Sequence, residues 1–308
     1  MSRNYDLVLF GATGFTGQQA ATLIAREMPD LRWAVAGRNE AKLRALADSL
    51  PVSVDVVVAD GSSAAEMSAL AVSTRVVCST AGPFALYSDA LVAACVLHQT
   101  HYCDITGETP WVRRLIDAHH EKASAEGTRI VPMCGYDSVP SDLGAFLVAR
   151  ALQQAGESCE DTRASMTIKG GLNGGTLASA LAMSEREGPA AFVDGILLHP
   201  PELRTEAERK RHRDDRSIRW DPELEVYTAP FVMAAVNTRV VRRSAALLHQ
   251  RGEGYGEAFT YNEFLGTRSR ASAYSMAAGL AGLGLLLAGP PGRWLLRTFG
   301  PAPGEGPS

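Results

Sequence analysis

A glycine-spaced turn directly after the first apolar run constrains this sequence more than any other feature. Residues 5–10 (YDLVLF) read as a strand, residues 18–28 as a helix, and Gly11-Ala12-Thr13-Gly14-Phe15-Thr16-Gly17 joins them. Each glycine has a physical task. Gly11 lets the chain turn sharply off the strand, and Gly14 omits a side chain where backbone must approach a pyrophosphate. Gly17 lets the new helix pack closely on the sheet. The N–H groups opening that helix, including those of Thr13, Phe15 and Thr16, point at the phosphates, and the helix dipole adds to their pull. Three glycines in seven residues also suit a tight turn with no ligand. A strand before and a helix after, in the first βαβ unit of the chain, is the context a dinucleotide requires.

The rest of the first half keeps the same rhythm. Apolar runs at 33–36, 54–58, 76–78, 102–103 and 129–133 alternate with helical patterns at 40–50, 66–70, 87–98 and 110–126. Strands that are apolar throughout and alternate with helices predict a parallel sheet covered on both faces, a doubly wound α/β (Rossmann) domain over residues 1–157. A helix begins near Ser138-Val139-Pro140 and stops at Gly156. The rhythm then fades: a strand at 162–169, a glycine loop at 170–175 and a helix at 176–187 belong to a second, smaller α/β domain, 158–308, where a substrate would bind. Residues 202–219, dense in charge, read as solvated helix or loop.

The end of the second strand carries cofactor information. An NAD enzyme usually has an acidic residue there, on the ribose 2′-OH; this chain has Ala36-Gly37-Arg38-Asn39, with Lys42 a turn later. A guanidinium suits a 2′-phosphate, so NADP(H) is the expected cofactor. Asp60, after the third strand, lies beside the adenine or caps a helix. Thr80-Ala81-Gly82-Pro83, after the fourth strand, are small enough for the ribose and nicotinamide to pass.

These segments, in this order, resemble one family. GATGFTG, AGRN, STAGPF, YCDITGE and CGYDSVPSD are similar to the saccharopine dehydrogenase-like NADP-binding oxidoreductases, in the branch of bacterial trans-acting enoyl reductases; KGGLNGGTLAS, FVMAAVNTRVVRRSAALL and YGEAFTYNEF match further along. The resemblance implies hydride transfer from NADPH to a carbon–carbon double bond of a carrier-linked acyl or polyketide intermediate in complex-lipid or glycolipid synthesis. It also implies further strands beyond the loop at 303–308, so the second domain is expected to be C-terminally shortened. Reduction of an activated double bond leaves an enolate that needs a proton donor. Tyr136 is the first candidate, Tyr102 the second, and Asp104 and Asp137 orient the donor or cap helices; Thr106, Glu108 and Ser138 lie in the same loops. Two other readings remain beside this one: a saccharopine-type amino-acid dehydrogenase, and a non-catalytic NADP-binding or lipid-surface protein.

Composition narrows the partners. Thirty basic and 34 acidic residues give a net charge of −4, which offers no field for nucleic acid. Five cysteines, mostly in apolar runs, read as reduced thiols, and the N-terminus enters a strand with no signal peptide, so a cytoplasmic location is expected. Cys95-x-x-His98-x-x-His101-x-Cys103 has zinc-like residues, but spans a helix end and a strand start; no metal site is expected. Residues 276–288 (MAAGLAGLGLLLA) are too short to cross a bilayer unaided. A core helix is favoured there, and a helix in a membrane interface, with Trp294 and Arg297, is the second reading. That second reading would make the protein peripheral at the inner face of the plasma membrane. A second copy of the chain, in a homodimer, completes the expected partners.

Overall fold

The computed structural model describes residues 3–167, 174–187 and 193–301, in two compact units. Of these residues the first unit comprises 3–134, 174–179 and 301, and the second 135–167, 180–187 and 193–300.

The first unit runs β1 (Tyr5–Phe10), α1 (Phe15–Glu27), β2 (Trp33–Gly37), α2 (Glu40–Ser49), β3 (Asp55–Val58), α3 (Ala64–Ser73), β4 (Thr74–Ser79), α4 (Phe84–Tyr87), α5 (Asp89–Leu97), β5 (His101–Asp104), α6 (Thr109–Ala125) and β6 (Ile130–Val131). All six strands are parallel, in the order β3-β2-β1-β4-β5-β6. This is the doubly wound arrangement expected from the sequence. Chain order reverses between β1 and β4, and ligands of such sheets bind at the carboxyl ends of the strands at that switch point. The core explains the apolar runs: β2 is buried along its whole length, and α1 lays Gly17, Ala21 and Ala25 on the sheet at four-residue spacing. Small residues on that stripe bring helix and sheet close.

The second unit holds α7 (Val139–Gln154), β7 (Asp161–Met166), most of α8 (Gly174–Arg186), α9 (Glu206–Arg211), β8 (Trp220–Asp221), β9 (Val226–Pro230), α10 (Ala234–Gln250), β10 (Thr260–Thr267), α11 (Arg270–Ala288) and α12 (Pro290–Phe299). Its sheet is mixed, in the order β7-β10-β9-β8. Helix α7 joins this unit because Ala145 and Ala149 share a core with Val241, Ala245, Phe259 and Tyr261. The chain therefore enters its second unit at residue 135, ahead of the expected division after 157.

Two sequence expectations change here. The charged stretch 202–219 is solvated only in part: His212 is buried, and Asp214 Oδ1 accepts hydrogen bonds from Arg239 and Arg242 at 2.7 and 2.9 Å. Both guanidinium groups are fully buried, and this stretch supplies the carboxylate that bonds them. The apolar segment near residue 280 is not a core helix. Helix α11 spans 19 residues, long and apolar enough to cross a membrane, yet only 6% of its apolar window is buried. Of the expected loop at 170–175, residues 170–173 lie outside the described residues and 174–175 already belong to α8; the tail at 303–308 also lies outside the described residues.

Candidate cofactor and active site

The three glycines of the first turn separate by what a side chain would meet. Gly11 adopts φ +82°, and a Cβ there would lie 2.7 Å from the Ala81 backbone. A Cβ on Gly17 would lie 2.4 Å from the Gly11 carbonyl oxygen. Both positions are closed by the protein itself. Gly14 differs: its Cβ would meet only the Gly11 oxygen, at 3.4 Å, an ordinary contact. The fold does not demand glycine at 14, whereas backbone approach to a phosphate does.

Gly14 is the N-cap of α1. No side chain caps this end, and the first turn holds no acidic residue. The opening N–H groups thus face outward under the positive end of the helix dipole. Thr80, beyond β4, ties the two sides of the switch point together: its N–H donates to the Phe10 carbonyl, and its hydroxyl contacts the Phe10 and Gly11 carbonyls at 3.2 and 3.1 Å. Ala81 abuts Gly11, and Gly82 abuts the Phe84 ring. The small residues 80–83 thus lie beside the first turn at the switch point.

Arg38 is exposed at the carboxyl end of β2 and makes no hydrogen bond or ion pair to a described residue. Its charge helps to hold the Asp60 carboxyl below its ordinary range, after the hydrogen bonds from the Ser62 N–H and hydroxyl. Asp60 therefore shapes its own turn, and the N-cap of α3 is Ser63 instead. Asn39 caps α2, accepting from the Lys42 N–H at 3.0 Å, while the Lys42 side chain stays exposed. At this edge the cations are available and the amide of Asn39 is engaged. The site fits NADP(H): an uncapped helix start for the pyrophosphate, and an unpaired guanidinium where a 2′-phosphate needs one.

The four catalytic candidates fall apart. Tyr102 and Asp104 point to one face of β5 and are each only 1% exposed. The Tyr102 hydroxyl donates to Asp104 Oδ2 at 2.8 Å, and Asp104 Oδ1 accepts the N–H groups of Thr106 and Met133 at 2.9 Å each. Burial pushes the Asp104 carboxyl up to about 6, against the pull of those N–H bonds. Burial, with the Asp104 charge, pushes the Tyr102 phenol well above its ordinary value. The pair is an internal brace between β5 and the segment after β6: Asp104 does orient the Tyr102 hydroxyl, but both side chains are buried. Glu108 is also internal: its buried carboxylate accepts the N–H groups of Phe84 and Ala85 at 2.9 Å each, with the Ser179 hydroxyl at the same distance. It pins the segment that follows Pro83.

Tyr136 and Asp137 belong to the second unit. Tyr136 is 92% exposed, and Asp137 is half-buried, with its carboxyl raised by burial. Ser138 is fully buried and bonds Asn237, which donates to Glu263 at 3.0 Å; Tyr261 donates to the same carboxylate at 2.7 Å. This polar network went unread because Asn237 and Glu263 sit among apolar neighbours at helix and strand spacing. As for the zinc-like residues, His98 bonds the Ser68 hydroxyl and His101 accepts the Arg129 N–H. Among the described residues no group of three or more such side chains is gathered around one point.

With this geometry in place, the likenesses to other proteins can be read. Residues 7–131 match the saccharopine dehydrogenase NADP binding domain. A protein of Mycobacterium leprae named trans-acting enoyl reductase is 35% identical, over 99% of this chain and 78% of its own length. Its namesake in Mycobacterium tuberculosis shares the same 35% over the same spans. A further Mycobacterium tuberculosis relative is 37% identical over 99% of this chain and 77% of its own.

Proposed function

Because this chain belongs to the saccharopine dehydrogenase-like NADP-binding oxidoreductases, in the trans-acting enoyl reductase branch, we propose that it reduces the α,β-double bond of a carrier-linked acyl or polyketide thioester in lipid or glycolipid synthesis. It is an NADP-dependent oxidoreductase. The observation that carries the reading is the division of labour at the first turn: Gly11 and Gly17 are required by packing, Gly14 is not, and Arg38 stands unpaired at the next strand end.

In this proposal the start of α1 holds the pyrophosphate and Arg38 holds the 2′-phosphate, by paired charge-assisted hydrogen bonds. Residues 80–83 shape the passage for the ribose and nicotinamide. NADPH, when bound, supplies a hydride to the β-carbon of the conjugated thioester. Tyr136 donates a proton to the α-carbon as the enolate collapses, since of the four candidates its hydroxyl alone is both a donor and open to solvent.

The test is loss of NADPH absorbance with three substrates: an unsaturated acyl thioester, an imine of glutamate, and an aldehyde. Turnover of the thioester alone supports the proposal, and turnover of the imine alone assigns an amino-acid dehydrogenase instead. Silence with all three, while NADPH still binds, indicates a non-catalytic protein. Tyr136→Phe is expected to lower kcat by roughly a hundredfold or more, with the KM for NADPH unchanged.

A further inference from the structure

The exposed C-terminal hairpin has a composition and a build that suit one kind of surface. Helix α11 carries Tyr274, Ala278, Ala281, Leu285 and Ala288 at helical spacing, and all five are exposed, Leu285 at 77%. Helix α12 adds Trp294 at 61% and Phe299 at 78% exposed. A protein surface rarely leaves side chains of this size in water on two adjoining helices. Between residues 268 and 301 stand four arginines, Arg268, Arg270, Arg293 and Arg297, and no acidic residue, in a chain whose net charge is −4.

The hairpin is held in one shape. A Cβ on Gly292 would lie 2.2 Å from the Leu286 carbonyl oxygen, so the turn closes only with glycine. Arg293 donates to the Leu287 and Ala288 carbonyls at the end of α11, and Glu185 on α8 pairs with Arg293 and Arg297 at 3.5 and 2.7 Å. Helix α11 packs along β9 and β10, with Ala273 fully buried. Nineteen residues reach about 28 Å, close to the thickness of a hydrocarbon core. A helix packed along a sheet on one side and turned back at once on itself lies along a bilayer instead of crossing it.

We propose that the α11–α12 hairpin is a docking surface for an anionic lipid bilayer, with Leu285, Trp294 and Phe299 entering the headgroup–acyl boundary and the exposed Arg268 and Arg270 meeting lipid phosphates. Burial of the aromatic and aliphatic side chains supplies most of the binding, and the arginines supply its dependence on lipid charge and salt. This docking is independent of the substrate assignment, which is measured on a water-soluble thioester.

Co-sedimentation of the full chain with vesicles tests it. The protein is expected to partition onto phosphatidylcholine vesicles containing phosphatidylglycerol, less onto phosphatidylcholine alone, and less at high salt. The variant Leu285→Ser/Trp294→Ser/Phe299→Ser should lose partitioning by roughly a hundredfold or more. These side chains are exposed, so its melting temperature and NADPH binding are expected to hold. As a second reading, brominated acyl chains should quench tryptophan emission in the wild type; Trp294→Phe should remove most of that quenching while still binding. The proposal is overturned if the wild type stays in the supernatant with both vesicles, or if the triple variant binds as well as the wild type. It is equally overturned if the face pairs two copies of the chain, seen as a dimer by light scattering that the triple variant dissolves, without vesicle binding.

Discussion

At Gly14 and Gly17 the same residue type does opposite work three positions apart. Gly17→Val drives a side chain into the Gly11 carbonyl and should cost at least about 2 kcal/mol of stability. Gly14→Val meets only one ordinary contact and should cost about 1 kcal/mol, through a poorer N-cap. It should nevertheless abolish the rise in melting temperature that NADPH produces, because the new side chain stands where the phosphate must come. A Gly14 variant that still gains stability from NADPH would refute the cradle. Arg38 makes the complementary case. Arg38→Asp should weaken NADPH by roughly ten- to a hundredfold while changing NADH little, read by titration of each nucleotide. The sequence alone revealed both positions, because glycine spacing and a cation at a strand end are local signals. Their spacing also gave the three glycines separate tasks, but not the atoms behind each task, which are contributed by Ala81 and by the Gly11 carbonyl.

Elements show where pattern reading succeeds and where it stops. The parallel strands of the first unit were legible because burial on both faces leaves them apolar from end to end. Tyr102 and Asp104 misled for the converse reason: polar residues at a strand end look functional until their side chains are seen turned inward on each other. The stretch around α9 hid a structural role behind its charge. His212, at the end of α9, and His199 meet with ring centroids 5.2 Å apart. Burial lowers both imidazoles, to about 3 and about 4 respectively, helped for each by Arg242; Arg211 adds to this for His212 and Arg243 for His199, where Asp194 opposes it. Glu208 faces His212 at 3.3 Å. In the unfolded chain both groups take up a proton near pH 6.5, whereas in the fold they resist it. At these two rings the unfolded state thus binds more protons below pH 6.5, and their contribution to stability falls as pH falls from there toward 4, by up to about 1.4 kcal/mol per unit for each, while the raised Asp104 carboxyl acts in the opposite sense. His212→Gln should flatten part of that slope in melting curves taken between pH 4 and 6.5, and an unchanged slope would count against the burial of a neutral ring.

For the molecule as a whole, the two-unit plan was readable and its border was not. Helix α7 follows a βα series and begins with a proline in its first turn, so by pattern it continues the first domain. Its alanines decide otherwise by packing on α10, a contact about a hundred residues away in sequence that no local pattern reports. The exposure of α11 was equally out of reach. Apolar composition says that a helix avoids water, but whether protein or something else covers it depends on which neighbours the fold supplies.

The packing at the first turn has an evolutionary corollary. Scaffold and ligand make their demands on different atoms of one heptapeptide, so mutation can silence the catalyst without disturbing its architecture. A duplicated gene that drifted at Gly14 or Arg38 would yield a protein that expresses and folds like its parent and melts within a few degrees of it. Live and dead copies would then be told apart at those two codons far more sharply than by any measure of folding.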